Sequence, residues 1–343
     1  MKINQVSSAT RPLLFLVGLL FILFCISISL GSIKIPLTET LASLFTSNDS
    51  IWSEIIWEFR LPKALTCVLT GMALASSGLM MQTLFRNPLA GPDVLGLSSG
   101  ASLLVAVLIL AGTSGIGVLV QLGSSPWSIA LAASLGSGLV FALIIVVAQK
   151  VKDNVSLLII GLMIGAVTSS LVLTLQFLSR SDDLQAFVIW TMGSVGSTDW
   201  IEIQVMALII AVGTSIAVGS MKSLNALLLG ENYAQSLGVK VQRSRLMIVL
   251  STSLMSGVVT AFCGPIAFVG LAVPHLVRLL FNNSNHKILM PAVMLGGASL
   301  ILVCDLISQL AGSIQVLPLN AITSLLGAPV VIWVVLRSRT SKI

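Results

Sequence analysis

Long apolar runs alternate with short clusters of polar residues, glycine and proline along the whole chain. A helix needs roughly 20 apolar residues to cross the hydrocarbon core of a bilayer. Cutting the sequence at its polar and Pro/Gly clusters predicts about ten such helices, over 12–32, 62–82, 94–112, 127–149, 155–177, 200–219, 243–263, 266–282, 288–311 and 320–337. The eighth is the weakest, because His275 and Arg278 interrupt it. The longest polar interruptions fall at 33–61, 178–199 and 220–242, and no low-complexity linker separates the runs. Residues 1–343 are therefore expected to form a single membrane domain, an all-α polytopic protein.

Charge sets its orientation, because Lys and Arg are retained on the cytoplasmic side. With an even number of helices both termini share one side. Placing the N-terminus in the cytoplasm puts Lys2, Arg11, Arg86, Lys150, Lys152, Lys222, Lys240, Arg243, Arg245, Arg278, Lys287, Arg337, Arg339 and Lys342 inside, which is 14 of 18 basic residues. Lys34, Arg60, Lys63 and Arg180 stay outside, with eight of the twelve acids: Glu39, Asp49, Glu54, Glu58, Asp182, Asp183, Asp199 and Glu202. Removing one helix scrambles that split. Segments 33–61 and 178–199 are then external, and 220–242 is cytoplasmic.

Composition agrees and excludes alternatives. Hydrophobic residues make up 56% and charged residues 9%, with mean hydropathy +1.06. A soluble protein carries about 25% charged residues. The net charge of +6 comes from scattered single residues rather than a basic stripe, so a nucleic-acid partner is not expected. Cys25, Cys67, Cys263 and Cys304 lie far apart in or beside apolar runs, without metal-binding spacing, and read as small buried hydrophobes. The run Leu13–Leu30 after Lys2 and Arg11 exceeds a signal-peptide core and lacks an A-x-A-like site, so it reads as an uncleaved first helix.

Several segments carry more specific information. In the stretch from Arg60 to Gly96, Pro62 suits a first helical turn. Gly71, Ala75 and Gly78 supply a small-residue face, and Arg86-Asn87-Pro88 closes the helix at the cytoplasmic boundary. Arg60 and Lys63 stand one turn apart on the base-poor outer side, either snorkelling to headgroups or receiving an acidic partner. The inner segment 220–242 reads as two short helices. Leu224, Leu227 and Leu228 line the first, Gly230 breaks it, Ala234 and Leu237 lie on the second, and Gly238 ends it. Such apolar faces need a cover, from this protein's own helix ends or from a partner subunit.

The Arg60–Gly96 stretch resembles the opening signature of FecCD-type permeases, the membrane subunits of type II ABC importers for iron-siderophores, haem and cobalamin. Matching segments follow in the same order: Trp190–Trp200, Leu224–Gly230 running to Leu237-Gly-Val, Gly264–Arg278, His286, Asp305 and Pro318–Pro329. The resemblance implies a homodimer of ten-helix subunits in the bacterial cytoplasmic (inner) membrane, with the pathway between them. It further implies two separate ATPase subunits below, a periplasmic or lipid-anchored solute-binding protein outside, and a metal chelate as cargo, a ferric siderophore before haem or cobalamin. The chain holds no G-x-x-x-x-G-K-[ST] loop. ATP hydrolysis is thus expected on the partner, with no cofactor held directly and no enzyme activity here.

By the same resemblance, residues about 222–240 are the ATPase contact, through Leu224, Asn225, Leu227, Leu228, Gly230, Ala234, Leu237 and Gly238. Arg60 and Lys63 are binding-protein docking points. The loop 150–156 approaches the inner mouth of the pathway, with Asn154 as its gate residue. Three positions depart from the pattern: Lys63 and Gln309 stand where Arg is usual, and Asn320 where Gly is usual. Lys keeps the charge but loses bidentate geometry, and Asn tolerates a left-handed turn.

Asp305 is the one acid placed well inside an apolar run. It is a functional group by default, or else pairs with a basic residue or caps a broken helix. Pro274 and His275 are expected to hold irregular backbone near the cytoplasmic end rather than bind metal. Gly161-x-x-x-Gly165 marks close packing, at a dimer interface or within the chain, near the pathway. Gly96-x-Ser98-x-Gly100 imitates a hydrolase elbow, but lacks a preceding strand and an activating His. A rival function, an ion-coupled secondary transporter, would use Asp305 as its proton carrier and need no partner.

Overall fold

The structure is a computed structural model describing residues 2–31, 35, 39–40, 51–110, 126–151, 154–311 and 316–340. The described residues are helical or irregular, without strands. Helix α1 spans Lys2–Ser29. Helix α2 runs unbroken over Ile51–Leu84, with a π-helical stretch at Ile55–Arg60. A 3₁₀ turn, Pro92–Leu95, leads into α3, Leu97–Leu110. Then follow α4, Pro126–Lys150, α5, Asn154–Leu178, and α6, Ser181–Thr191. Helix α7 covers Trp200–Leu227, α8 Glu231–Ser236, and α9 Val241–Cys263. The chain closes with α10, Val269–Phe281, α11, His286–Ala311, and α12, Leu319–Thr340.

Seven of these are long and apolar enough to cross a membrane: α1, α2, α4, α5, α7, α9 and α11. The shorter apolar helices α3 and α10, and the apolar stretch Leu319–Trp333 of α12, coincide with the remaining predicted runs. The sequence expectation of a multi-span, all-α membrane protein is met, with ten as an approximate count because α3 and α10, of 14 and 13 residues, fall short of a full span. Most of the outer segment 33–61 before Ile51 lies outside the described residues.

Three local features differ from the sequence reading. First, residues 220–242 do not form two short helices: α7 continues without a break to Leu227, and only α8 is separate. Ala226 and Leu227 are good helix formers that extend the preceding span, and the break waits for Gly230, whose φ of 110° no L residue adopts comfortably. Second, the outer segment 178–199 contains α6. Asp182 and Asp183 sit in its first turn, where the helix dipole favours acids, and its buried Phe187 packs into an apolar cluster with Val105, Ala106 and Ile109 of α3. Third, Asn320 has no left-handed backbone; it lies in the first turn of α12, where Ile322 N–H reaches the Pro318 carbonyl.

The chain divides into two compact units. The first comprises residues 1–76, 194–208 and 268–343. Within it α11 packs on α1, α10 and α12. Its tightest crossing joins α2 to α11: a Cβ on Gly71 would overlap the Gly297 carbonyl, and one on Gly297 would stand 2.5 Å from Ala75 Cβ. The small face read from the sequence at Gly71 and Ala75 is therefore the surface α11 lies on.

The second unit comprises residues 77–193 and 209–267. Here α3 is the hub, packed on α4, α5, α6 and α9. Gly100 of α3 and Gly136 of α4 meet backbone to backbone, so a Cβ on either would overlap the other's carbonyl oxygen. Ser137 Oγ donates to the Leu97 carbonyl at 3.2 Å beside this crossing. At the outer end, two glycine-bearing motifs close on each other. Gly264 has φ 72°, and a Cβ there would stand 2.5 Å from the Trp190 carbonyl, so only Gly meets both demands.

Gly136 and Gly138 make a controlled pair, since a Cβ on Gly138 meets nothing within 4 Å. Gly136→Ala forces the crossing apart and is expected to destabilise by about 1–3 kcal/mol, the usual scale of overpacking. Gly138→Ala should leave stability unchanged or raise it slightly, because Ala is the better helix former. Thermal unfolding of both variants in detergent checks this, and equal behaviour would refute the crossing.

Candidate functional site

On the outer side, the π-helical stretch of α2 delivers Arg60 and Lys63 to different tasks. Arg60 is buried, at 9% exposure. One Nη donates to the carbonyls of Ile28 at 2.8 Å and Ser29 at 2.7 Å. These belong to the last turn of α1, whose carbonyls lack intrahelical donors and favour a cation. Gly31 makes the approach possible: a Cβ there would stand 3.0 Å from the guanidinium. Arg60 thus fastens α1 to α2 rather than projecting outward.

Lys63 turns to Asp305. Its Nζ lies 2.8 Å from Asp305 Oδ1, with 21% of the lysine side chain and 3% of the aspartate exposed. Gln309, one turn further along α11, donates from Nε2 to Asp305 Oδ2 at 2.7 Å. Two of the three positions that depart from the family pattern, Lys63 and Gln309, therefore meet on one carboxylate. Of the two sequence readings of Asp305, pairing with a basic residue is the one present in the structure. Elsewhere along the same end of α2, Thr66 and Thr198 share a hydroxyl hydrogen bond of 2.6 Å, and Trp200 Nε1 donates to the Trp57 carbonyl at 3.0 Å.

On the inner side, α2 ends at Leu84 and the chain turns through Arg86, whose φ is 47°. Asn87 holds the turn, with its side-chain oxygen accepting from Leu89 N–H at 2.9 Å and its carbonyl accepting from Ala90 N–H at 3.1 Å. Pro88 then prevents the helix from resuming. Phe85, Arg86, Val155, Leu229, Gly230, Glu231 and Tyr233 are among the residues lining an open cleft of about 800 Å³.

The segment 224–238 is sorted by burial. Leu224, Leu227, Gly230 and Ala234 are buried, Asn225 and Leu228 half-buried, and Leu237 and Gly238 exposed. Of the residues that periodicity placed on the apolar faces, Leu224, Leu227 and Ala234 pack inward, Leu228 does so only partly, and Leu237 does not. The apolar surface left open is Leu229, Tyr233 and Leu237, at 62%, 52% and 59% exposure. Sequence reasoning missed Leu229 and Tyr233, because a three-leucine run does not reveal which member turns outward.

Gly161 and Gly165 pack within the chain: a Cβ on Gly96 would stand 3.1 Å from the Gly161 carbonyl and 3.3 Å from Gly165 N. Asn154 is the first residue of α5, and its side chain lies outside the described part of the structure. Pro274 and His275 are buried in the middle of α10, which continues through them as regular helix rather than irregular backbone. Ser98 donates to the Asp93 carboxylate at 2.5 Å in the first turn of α3. Cys67, Cys263 and Cys304 are buried and outside any disulfide among the described residues.

The sequence matches the FecCD transport family over residues 19–337. It is 38% identical over 339 residues to the vitamin B12 import system permease protein BtuC of Klebsiella pneumoniae, covering 98% of this chain and 96% of that one. It is 36% identical over 330 residues to the hemin transport system permease protein HmuU of Yersinia pestis, covering 96% of each. A solved metal-chelate type ABC transporter in an inward-facing conformation superposes with a TM-score of 0.82 at 30% identity, over 94% of this chain and 99% of that one. The similarity runs along nearly the whole chain, and this multi-pass ABC permease belongs to the FecCD transport family.

Proposed function

We propose that the chain is the permease of an ATP-driven importer in the bacterial cytoplasmic (inner) membrane, carrying a metal chelate inward between two copies of itself. The observation that supports this is similarity along nearly the full length to permeases named for vitamin B12 and hemin import. The cargo is a metal chelate, a ferric siderophore before haem or cobalamin. ATP is hydrolysed on two separate subunits seated below, and a solute-binding protein delivers the cargo from outside.

The open apolar residues of the inner segment fit the ATPase contact. Leu229, Tyr233 and Leu237 border or adjoin the cleft at Arg86 and Gly230, so a partner helix or loop entering it would cover them. Outside, Lys63 is the better docking cation, since its side chain is partly exposed whereas Arg60 is buried and committed to α1. The secondary-transporter alternative is disfavoured because its proton carrier, Asp305, is bound by both Lys63 and Gln309.

Three outcomes test this reading. Leu229→Glu with Leu237→Glu should abolish copurification of the ATPase while the permease remains folded, and retained ATPase would reject the contact. Uptake into proteoliposomes should require ATP and survive collapse of the proton gradient, and the opposite pattern would favour ion coupling. Lys63→Ala should weaken docking of the solute-binding protein by about tenfold, the loss of roughly 1.4 kcal/mol, measured as Kd on the reconstituted permease. Cargo class follows from which of the three chelates competes for that uptake.

A further inference from the structure

The inner end of α9 carries a buried cation that the transport reading does not yet use. Arg245 is 1% exposed, one and a half turns into α9. Its side chain reaches in two directions. One Nη donates to the Val151 carbonyl at 3.1 Å, just past the last residue of α4, and the other lies 3.3 Å from Glu231 Oε1, at the first position of α8. A turn earlier, Gln242 Nε2 donates to the Ala148 carbonyl at 2.6 Å.

These contacts share a chemistry. The last carbonyls of α4 have no intrahelical donor and need an external one. Val147 receives Val151 N–H, while Ala148 and Val151 are served by the side chains of α9. A charged donor on carbonyls at a helix C-terminus is favourable twice, through the hydrogen bond and the helix dipole. The same guanidinium holds Glu231, which opens α8, the short helix between α7 and α9. Glu231 also borders the inner cleft. Few side chains but Arg could do this, because its planar fork has donors pointing opposite ways, while Lys is a single point.

We infer that Arg245 is a positioning residue that transmits displacement of α8 to the inner end of α4, so that these two elements and the foot of α9 move together. The inference rests on the reading of 224–238 as the ATPase contact. When the partner moves α8, Glu231 pulls on a cation that has no solvent-facing alternative, and the Val151 carbonyl follows. Gln242 stiffens the same joint from the exposed side.

The test uses the complete importer, with ATPase and solute-binding protein, in proteoliposomes, and reads cargo imported per ATP hydrolysed. Arg245→Met should lower that ratio by about tenfold, within the ordinary range of coupling between sites, with ATPase still bound and ATP hydrolysis continuing. Arg245→Lys should recover part of the ratio, because Lys can serve Glu231 or the carbonyl but not both. Gln242→Ala, at an exposed position that tolerates substitution, should lower the ratio by a smaller factor and report on the joint even if Arg245→Met proves poorly folded. An unchanged ratio in Arg245→Met and Gln242→Ala overturns the relay. So does a loss of hydrolysis in parallel with uptake, since that marks a purely structural role. The Leu229→Glu/Leu237→Glu variant is run beside them: ATPase retained there rejects the contact reading itself, independently of what the Arg245 variants do.

Discussion

Lipid offers helices no hydrophobic reason to associate, because hydrocarbon tails are as apolar as leucine. What remains is contact, and contact is deepest where nothing stands between two backbones. The Gly71–Gly297 and Gly100–Gly136 crossings supply that contact, one in each compact unit. In the first unit, α11 is seated on α2 by Gly297, and α1, α10 and α12 are arranged around α11. In the second, α3 is seated on α4 by Gly100, and α5, α6 and α9 gather around α3. Larger side chains at these four positions would separate the helices by the thickness of a methyl group or more and remove the platform on which the polar contacts are built.

Those polar contacts follow a second rule. Backbone groups at helix ends must find donors, and this chain uses long cationic or amide side chains to supply them. Arg60 serves the end of α1, and Gln242 and Arg245 serve the end of α4. Each ties a helix to a neighbour far away in sequence. Side chains that would otherwise count as orientation signals thus become fasteners, which is why a count of basic residues says little about what each one does.

Helix positions were legible because span length and charge asymmetry are additive properties of the sequence, and all ten predicted runs coincide with apolar helices. The small face at Gly71 and Ala75 was legible for the same reason, as spacing alone places both on one side of α2. Pair partners were not. Nothing in the sequence near Lys63 points to a residue more than two hundred positions away, although both Lys63 and Gln309 stood out as departures from the family pattern. Helix α6 was missed because its polar first turn and apolar end average to an ordinary loop composition. The inner segment was misdivided because Leu224–Leu228 satisfies the period of a separate short helix and of a continued long one equally well.

The Lys63–Asp305 pair also bears on how the protein is made. A carboxylate carried alone into hydrocarbon is expensive, on the order of 2.5–3.5 kcal/mol at the centre of an inserting helix. Helix α11 must carry Asp305 in, and it leaves the ribosome long after α2. Synthesis from the N-terminus places α2, and Lys63 with it, first. The acid therefore follows its counter-ion in the order of synthesis. Circular rearrangement of the chain that moved α11 ahead of α2 would invert that order while preserving every contact of the finished fold.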